Sequence, residues 1–165
     1  MKTSVVLIGP MGAGKTTLGK KLSRELGVSF KDTDKLVSAK HGSIERIFEK
    51  HGEEHFRELE TEALRQALSQ PAIVATGGGI VLRKANRELI SGHRVIFLDT
   101  AMDWVIGKIN LDKRPLLKKK PERWQEIYDE RKDLYLELSD KTIFTGGKSL
   151  KSLIAEIREA ISDVL

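Results

Sequence analysis

Apolar residues along the chain fall into two patterns. Short unbroken runs alternate with longer stretches in which apolar residues recur every three or four positions. Ser4-Val5-Val6-Leu7-Ile8 is the first unbroken run, and Gly9 stops it. A strand that is apolar throughout is buried on both faces, as in a parallel sheet. Leu18, Leu22 and Leu26 then recur every four residues up to Gly27, which predicts a helix with a C-terminal glycine. Ile44, Ile47 and Phe48 open a second helical pattern, which breaks near Gly52 and resumes with Leu59, Ala63, Leu64 and Leu68. Ala72-Ile73-Val74-Ala75 predicts another buried strand, running into Gly77-Gly78-Gly79, and Val95-Ile96-Phe97-Leu98 predicts one more. Thr100 and Asp103 have the spacing of a capping box for the helix that follows. Lys141 to Thr145 reads as a weaker strand, and Leu150, Leu153, Ile154, Ile157, Ile161 and Val164 share one face of a final helix. Strands alternating with helices predict an α/β fold, a parallel sheet covered on both faces through right-handed crossovers.

Composition narrows the class. The chain has 165 residues, and no repeat, linker or low-complexity tract divides it, so a single domain over 1–165 is expected. Hydrophobic residues make up 39% and charged residues 32%, which suits neither a disordered chain nor a membrane protein. No apolar run approaches the roughly 20 residues of a membrane span. The apolar run within Met1 to Pro10 is too short for a signal peptide and has no small-residue cleavage site. Cysteine is absent, which removes disulfide scaffolds and thiolate chemistry and fits a cytoplasmic protein. The net charge of +5 points to an anionic partner, while the 5% aromatic content argues against a stacking platform for single-stranded nucleic acid.

Chemistry enters at the first strand-to-helix junction. Gly9-Pro10-Met11-Gly12-Ala13-Gly14-Lys15-Thr16 fits GxxxxGK[ST] between an apolar strand and a leucine-periodic helix. Glycines let such a loop curl until several backbone N–H groups face the β- and γ-phosphates of a nucleoside triphosphate, and the helix dipole adds to the attraction. Lys15 then neutralises the transferred phosphoryl group and the Thr16 hydroxyl is a magnesium ligand.

The acceptor must be read elsewhere. Asp32 and Asp34, two apart in Phe30-Lys31-Asp32-Thr33-Asp34, would share one face of a strand. One could hold magnesium through water and the other orient or deprotonate a hydroxyl; the plainer reading is a solvated pair. Arg57 and Glu60 are three apart on a helix. They are either a surface ion pair or an arginine held rigid to grip a carboxylate. Gly77 to Gly79 at the end of a buried strand leave backbone N–H groups open to a ligand, or form a plain flexible turn. Arg114, within the basic stretch Lys108 to Arg123, suits a mobile lid that closes over phosphates and excludes water; the plainer reading is a solvated loop.

Together these residues resemble the shikimate kinase family, in order and over nearly the whole chain. GPMGAGKTTLGKKL at 9–22 is similar to its P-loop, FKDTDKLV at 30–37 to its Asp-x-Asp segment, and IFEKHGEEHFRELE at 47–60 to its substrate-binding helices. ATGGG at 75–79, KRPLL at 113–117 and RKDLY at 131–135 complete the set. The resemblance implies a three-layer α/β/α P-loop fold like that of the nucleoside monophosphate kinases, with a five-stranded parallel sheet of order 2-3-1-4-5. It implies transfer of the ATP γ-phosphoryl to the 3-hydroxyl of shikimate, on the route to chorismate and the aromatic amino acids. Gly12, Ala13, Gly14, Lys15, Thr16 and Thr17, with Arg114 and Lys148, would bind ATP. Mg2+ would sit on Thr16 directly and on Asp32 through water. Asp34 would bind the shikimate hydroxyls and serve as base, Arg57 and Arg131 would hold its carboxylate, and Gly77, Gly78 and Gly79 would contact its ring. Lys15 and Arg114 would stabilise the moving phosphoryl. The substrate-binding region would span about 31–60 and the lid about 108–123, in a monomer that binds neither nucleic acid nor membrane.

Some positions depart from the family pattern. An arginine that often flanks adenine is replaced by Gly107, and the loop after the last strand reads Thr145-Gly146-Gly147-Lys148. Weak selectivity for the base is therefore expected. His51-Gly52-Glu53-Glu54-His55 matches a zinc-protease pattern, but Gly52 interrupts the helix it needs and no third ligand is evident, so no zinc is expected. The histidines, His41 and His93 included, are read as solvated, and Trp104 and Trp124 as packing residues. Other acceptors, gluconate or a nucleoside monophosphate, and a non-enzymatic binding module are the competing readings. The charge is local: Lys108 to Arg123 holds seven basic and two acidic residues, and the rest of the chain 22 of each sign. That places the excess where phosphates need it.

Overall fold

A computed structural model describes residues 1–105 and 122–165. Five strands form one parallel sheet in the order β2-β3-β1-β4-β5, as the resemblance implies. The strands are β1 (Val5–Ile8), β2 (Phe30–Asp32), β3 (Ile73–Ala75), β4 (Arg94–Asp99) and β5 (Lys141–Phe144). The helices are α1 (Lys15–Leu26), α2 (Thr33–His41), α3 (Ile44–Ala67), α4 (Lys84–Ser91), α5 (Met102–Val105), α6 (Arg123–Leu138) and α7 (Leu150–Ala160). Short 3-10 turns cover Ile80–Leu82 and Ser162–Val164. The final helix stops at Ala160 rather than continuing to Val164.

The unbroken apolar runs do what the pattern predicts. β1 is buried at every position, and its alternate side chains enter different layers. Val6 and Ile8, with Val74, Val95 and Phe97, pack against Leu64, Ile90, Trp124, Ile127 and Tyr135 from α3, α4 and α6. Val5 and Leu7, with Ile73, Ile96 and Leu98, pack against Leu18 and Leu22 of α1 and Leu153, Ile154 and Ile157 of α7. A third, smaller cluster of Val37, Ile47, Phe56 and Ala63 lies between α2 and α3.

Three local expectations fail, each for a physical reason. Asp32 and Asp34 do not share a strand: β2 ends at Asp32, whose carboxylate caps α2 by accepting from the Lys35 N–H at 3.2 Å, and Asp34 falls in the first helical turn. Thr100 does not cap α5, which starts at Met102; its N–H turns back to Asp99 Oδ1 at 2.8 Å. His93 is half-buried, and its Nδ1 meets the Thr3 hydroxyl at 2.8 Å and the Ser4 N–H at 3.3 Å. The break at Gly52 does occur: φ +83° and ψ 174° kink α3 there.

Candidate active site

The carboxyl ends of the strands carry the candidate residues, which is where ligands bind in parallel sheets. β1 runs into Gly9, whose φ is +143°, and a Cβ there would stand 2.1 Å from the Leu98 carbonyl oxygen. Only glycine fits so close to the neighbouring strand. Gly14, φ +92°, precedes α1 with no side chain capping it, so the first N–H groups of the helix face the loop. Ala13 is buried, while Gly12 and Thr17 are exposed. Lys15 is buried, and its ammonium donates to the Gly9 and Pro10 carbonyls at 2.6 and 2.8 Å. The Thr16 hydroxyl donates to Asp32 Oδ2 at 2.7 Å. Two hard oxygen donors thus stand side by side at the head of α1.

The second group converges on the glycine run. A Cβ added to Gly77 would lie 2.8 Å from Asp34 Oδ1 and 2.9 Å from Glu60 Oε2. At Gly79 it would lie 2.3 Å from Arg57 Nη1, and at Gly78 it would sit 3.5 Å from Arg131 Nη1 and 3.6 Å from the Gly9 carbonyl oxygen and the Met11 nitrogen. The three glycines therefore form a strip against which two carboxyl groups and two guanidinium groups close, next to the phosphate loop. The Gly77 N–H donates to Thr33 Oγ1 at 3.2 Å, and the Tyr135 hydroxyl donates to the Gly78 carbonyl at 2.5 Å, fixing the strip from both sides.

Arg57 is buried and donates to Glu60 at 3.0 Å and Glu53 at 3.1 Å. The pair expected either on the surface or as a rigid grip is thus a buried one. Burial works against the guanidinium charge, but Glu60 and Glu53 outweigh it and the pKa moves up. Burial pushes Glu60 up to about 7; Arg57 opposes the rise and Asp34 adds to it. Among the described residues, Arg57 Nε, Arg131 Nε and Glu60 Oε2 are buried without a hydrogen-bond partner. Buried polar atoms left unsatisfied are costly, and here they cluster where a polar ligand would meet them.

Several contacts had no signal in local spacing. Trp124 of α6 donates its indole N–H to the Met11 carbonyl at 2.8 Å and stacks on Tyr128, whose hydroxyl donates to Asp99 at 2.8 Å. Lys148 is held by both oxygens of Glu156, at 2.9 and 3.1 Å. Trp104 is 45% exposed, against its reading as a packing residue. Arg114 and most of the expected lid lie outside the described residues.

Comparison with known proteins agrees on one family. The shikimate kinase family model matches residues 11–162. The chain is 37% identical to the shikimate kinase of Clostridium beijerinckii, over 100% of this chain and 98% of that one. It is 41% identical to the shikimate kinase of Moorella thermoacetica, over 98% and 95%. Its fold is similar to that of Acinetobacter baumannii shikimate kinase in complex with shikimate, with a TM-score of 0.91, 36% identity, and coverage of 99% of this chain and 95% of that one. With the motifs, the sheet order and these matches in agreement, the chain belongs to the shikimate kinase family.

Proposed function

We propose that this chain transfers the γ-phosphoryl group of ATP to the 3-hydroxyl of shikimate, giving shikimate 3-phosphate and ADP. The observation that carries the reading is the glycine strip, where Arg57, Arg131 and Asp34 meet beside the phosphate loop. A small hydroxylated carboxylate suits that set: guanidinium groups take a carboxylate in fork geometry, and a carboxyl oxygen takes hydroxyl groups.

Each residue has a role in this reading. Gly12 to Gly14 and Thr17 cradle the phosphates by backbone and hydroxyl groups, and Lys15 leaves the loop carbonyls to follow the γ-phosphoryl. Arg57 and Arg131 hold the acceptor by its carboxylate, Gly77 to Gly79 let its ring approach, and Asp34 orients the hydroxyl and takes its proton. A bond forms from that oxygen to phosphorus, the bond to the β-phosphate oxygen breaks, and the electron pair leaves on ADP. Transfer of this kind depends on positioning and charge neutralisation more than on a strong base. Arg114 and Lys148 add charge on the ATP side, Arg114 from a lid at about 108–123.

Thr16 and Asp32 fit Mg2+, since their two oxygens supply the hard donors of a site that nucleotide phosphates and water complete. Magnesium, when bound, neutralises phosphate oxygens. We place the chain in the cytoplasm as a single-domain monomer; no helix among the described residues is long and apolar enough to cross a membrane.

A coupled ATP-to-ADP assay with shikimate, gluconate, CMP or no acceptor tests the function. Turnover with shikimate alone is expected; equal turnover with gluconate or CMP, or none with any acceptor, overturns it. Arg57→Ala should raise the shikimate KM far more than the ATP KM, and a mainly raised ATP KM would remove the carboxylate grip.

A further inference from the structure

The donor's base needs a surface, and we propose that Trp104 provides it, as a stacking platform that takes the nucleobase by its face. The inference rests on ATP being the donor. β4 ends beside β1, in the register Ile8 to Phe97, so the chain that follows it emerges next to the phosphate loop, and β5 ends beside β4 on its far side, in the register Asp99 to Phe144. Gly9 packs on the Leu98 carbonyl, and Trp104 lies six residues beyond Leu98. Thr145 ties the turn after β5 back to β4, its N–H and hydroxyl both donating to the Asp99 carbonyl at 2.8 and 3.1 Å.

The indole lies along that turn. A Cβ on Gly146 would stand 2.4 Å from Cδ1 and 2.7 Å from Nε1, and one on Gly147 would stand 3.1 Å from Cη2 and 3.2 Å from Cζ2. These atoms run along the Nε1 edge of the indole, from the five-membered to the six-membered ring, so the glycine pair holds that edge over its length. The residue is nevertheless 45% exposed. A tryptophan held by a pinned turn and still partly exposed is a fixed aromatic surface with little entropy left to lose.

Its neighbours identify the occupant. Among the described residues six large apolar side chains are exposed, and Trp104, Phe144 and Leu150 at the ends of β4 and β5 are three of them. Leu150 lines a cavity of about 350 Å3 with Thr16, Thr17, Lys20, Lys21, Arg24 and Glu25, so one member of the set stands beside the threonines of the phosphate loop. A flat heterocycle tethered to phosphates held there falls within its reach. Gly146 and Gly147 offer no side chains to read the edge of that heterocycle. Stacking alone tolerates any base, because every base has a π-face.

The test compares a nucleotide with its bare phosphate chain. Trp104→Ala should raise the ATP KM and the ADP Kd by roughly 5- to 100-fold. Inorganic tripolyphosphate, which has no base, should inhibit wild type and variant with the same Ki, and the shikimate KM should stay constant. Trp104→Phe, which keeps a ring, should keep part of the affinity. Two results overturn the proposal: an unchanged ADP Kd in Trp104→Ala, or equal weakening of ADP and tripolyphosphate. Failure of wild type to bind ADP at all would instead remove ATP as donor.

Discussion

Replacing Gly79 by alanine adds one methyl group where the site has no room for it. The backbone raises no objection: φ −92° and ψ 7° are open to alanine. Space does, because the new Cβ would stand 2.3 Å from Arg57 Nη1 and 2.6 Å from its Cζ and Nη2, whereas ordinary contact begins at 3.4 Å. The guanidinium must retreat by about 1 Å, and it is held at 3.0 and 3.1 Å by Glu60 and Glu53. A retreat of that size breaks at least one bond. Hydrogen bonds to charged groups contribute about 1.5–3 kcal/mol, and the buried bond to Glu60 belongs at the upper end while the half-exposed Glu53 belongs below it. A loss of about 2 kcal/mol lowers Tm by about 4–8 °C in a chain of this size. In the proposed role of Arg57 the displaced guanidinium also meets the acceptor carboxylate badly, so the shikimate KM should rise about 10- to 100-fold with the ATP KM nearly constant. Gly92→Ala is the control, since Gly92 has φ −80° and ψ 4° with nothing within 4 Å of an added Cβ. It should be neutral or stabilising by up to about 1 kcal/mol. Steady-state kinetics in both substrates and thermal melts of both variants decide the matter. A Gly79→Ala enzyme with an unchanged shikimate KM would refute the steric reasoning, as would an equal effect from Gly92→Ala.

Other outcomes follow from the same geometry. Glu60 rises from an ordinary 4.5 to about 7 on folding, so between those values the folded chain keeps a proton that the unfolded chain has lost. Its contribution to stability is full below pH 4.5 and declines as pH climbs to 7; chemical denaturation across that window should show the decline in wild type and a flatter profile in Glu60→Gln. Lys15→Ala should abolish turnover while circular dichroism stays native, and near-normal kcat would remove Lys15 from the chemistry. Trp124→Phe keeps the stack on Tyr128 but strands the Met11 carbonyl; it should cost about 1–2 kcal/mol in a melt and weaken ADP binding.

Local spacing carried the fold a long way. β1, β3 and β4 are apolar at nearly every position because both faces of the sheet are covered, and that burial is written residue by residue. The phosphate loop and the Arg57–Glu60 pair are legible for a related reason: their geometry is fixed within one turn or one helix. The spacing puts Asp34 on a strand and the structure on a helix, because two residues of alternation cannot distinguish a strand end from a capped helix start. The contacts from Trp124 to Met11 and from Tyr135 to Gly78 cross 113 and 57 residues, and no periodicity records such distances. Glycines 146 and 147 read as a gap in an expected motif, yet their missing side chains make room for an indole from another loop.

The small apolar cluster of Val37, Ile47, Phe56 and Ala63 is separate from the two clusters that flank the sheet, with the partly buried Leu36 packed both against it and against one of them. A region with its own core opens without opening its neighbours, so amides of α2 and the first half of α3 should exchange with solvent at a lower free energy than those of β1 or β4. That region carries Asp34 and ends at Arg57, while Arg131 stands on α6, anchored in the core of the sheet. In the proposed reading, an acceptor gripped by both arginines fastens a loosely folded unit to a firmly folded one. Part of its binding free energy would then be read as slowed exchange across α2 and α3, far beyond the atoms it touches.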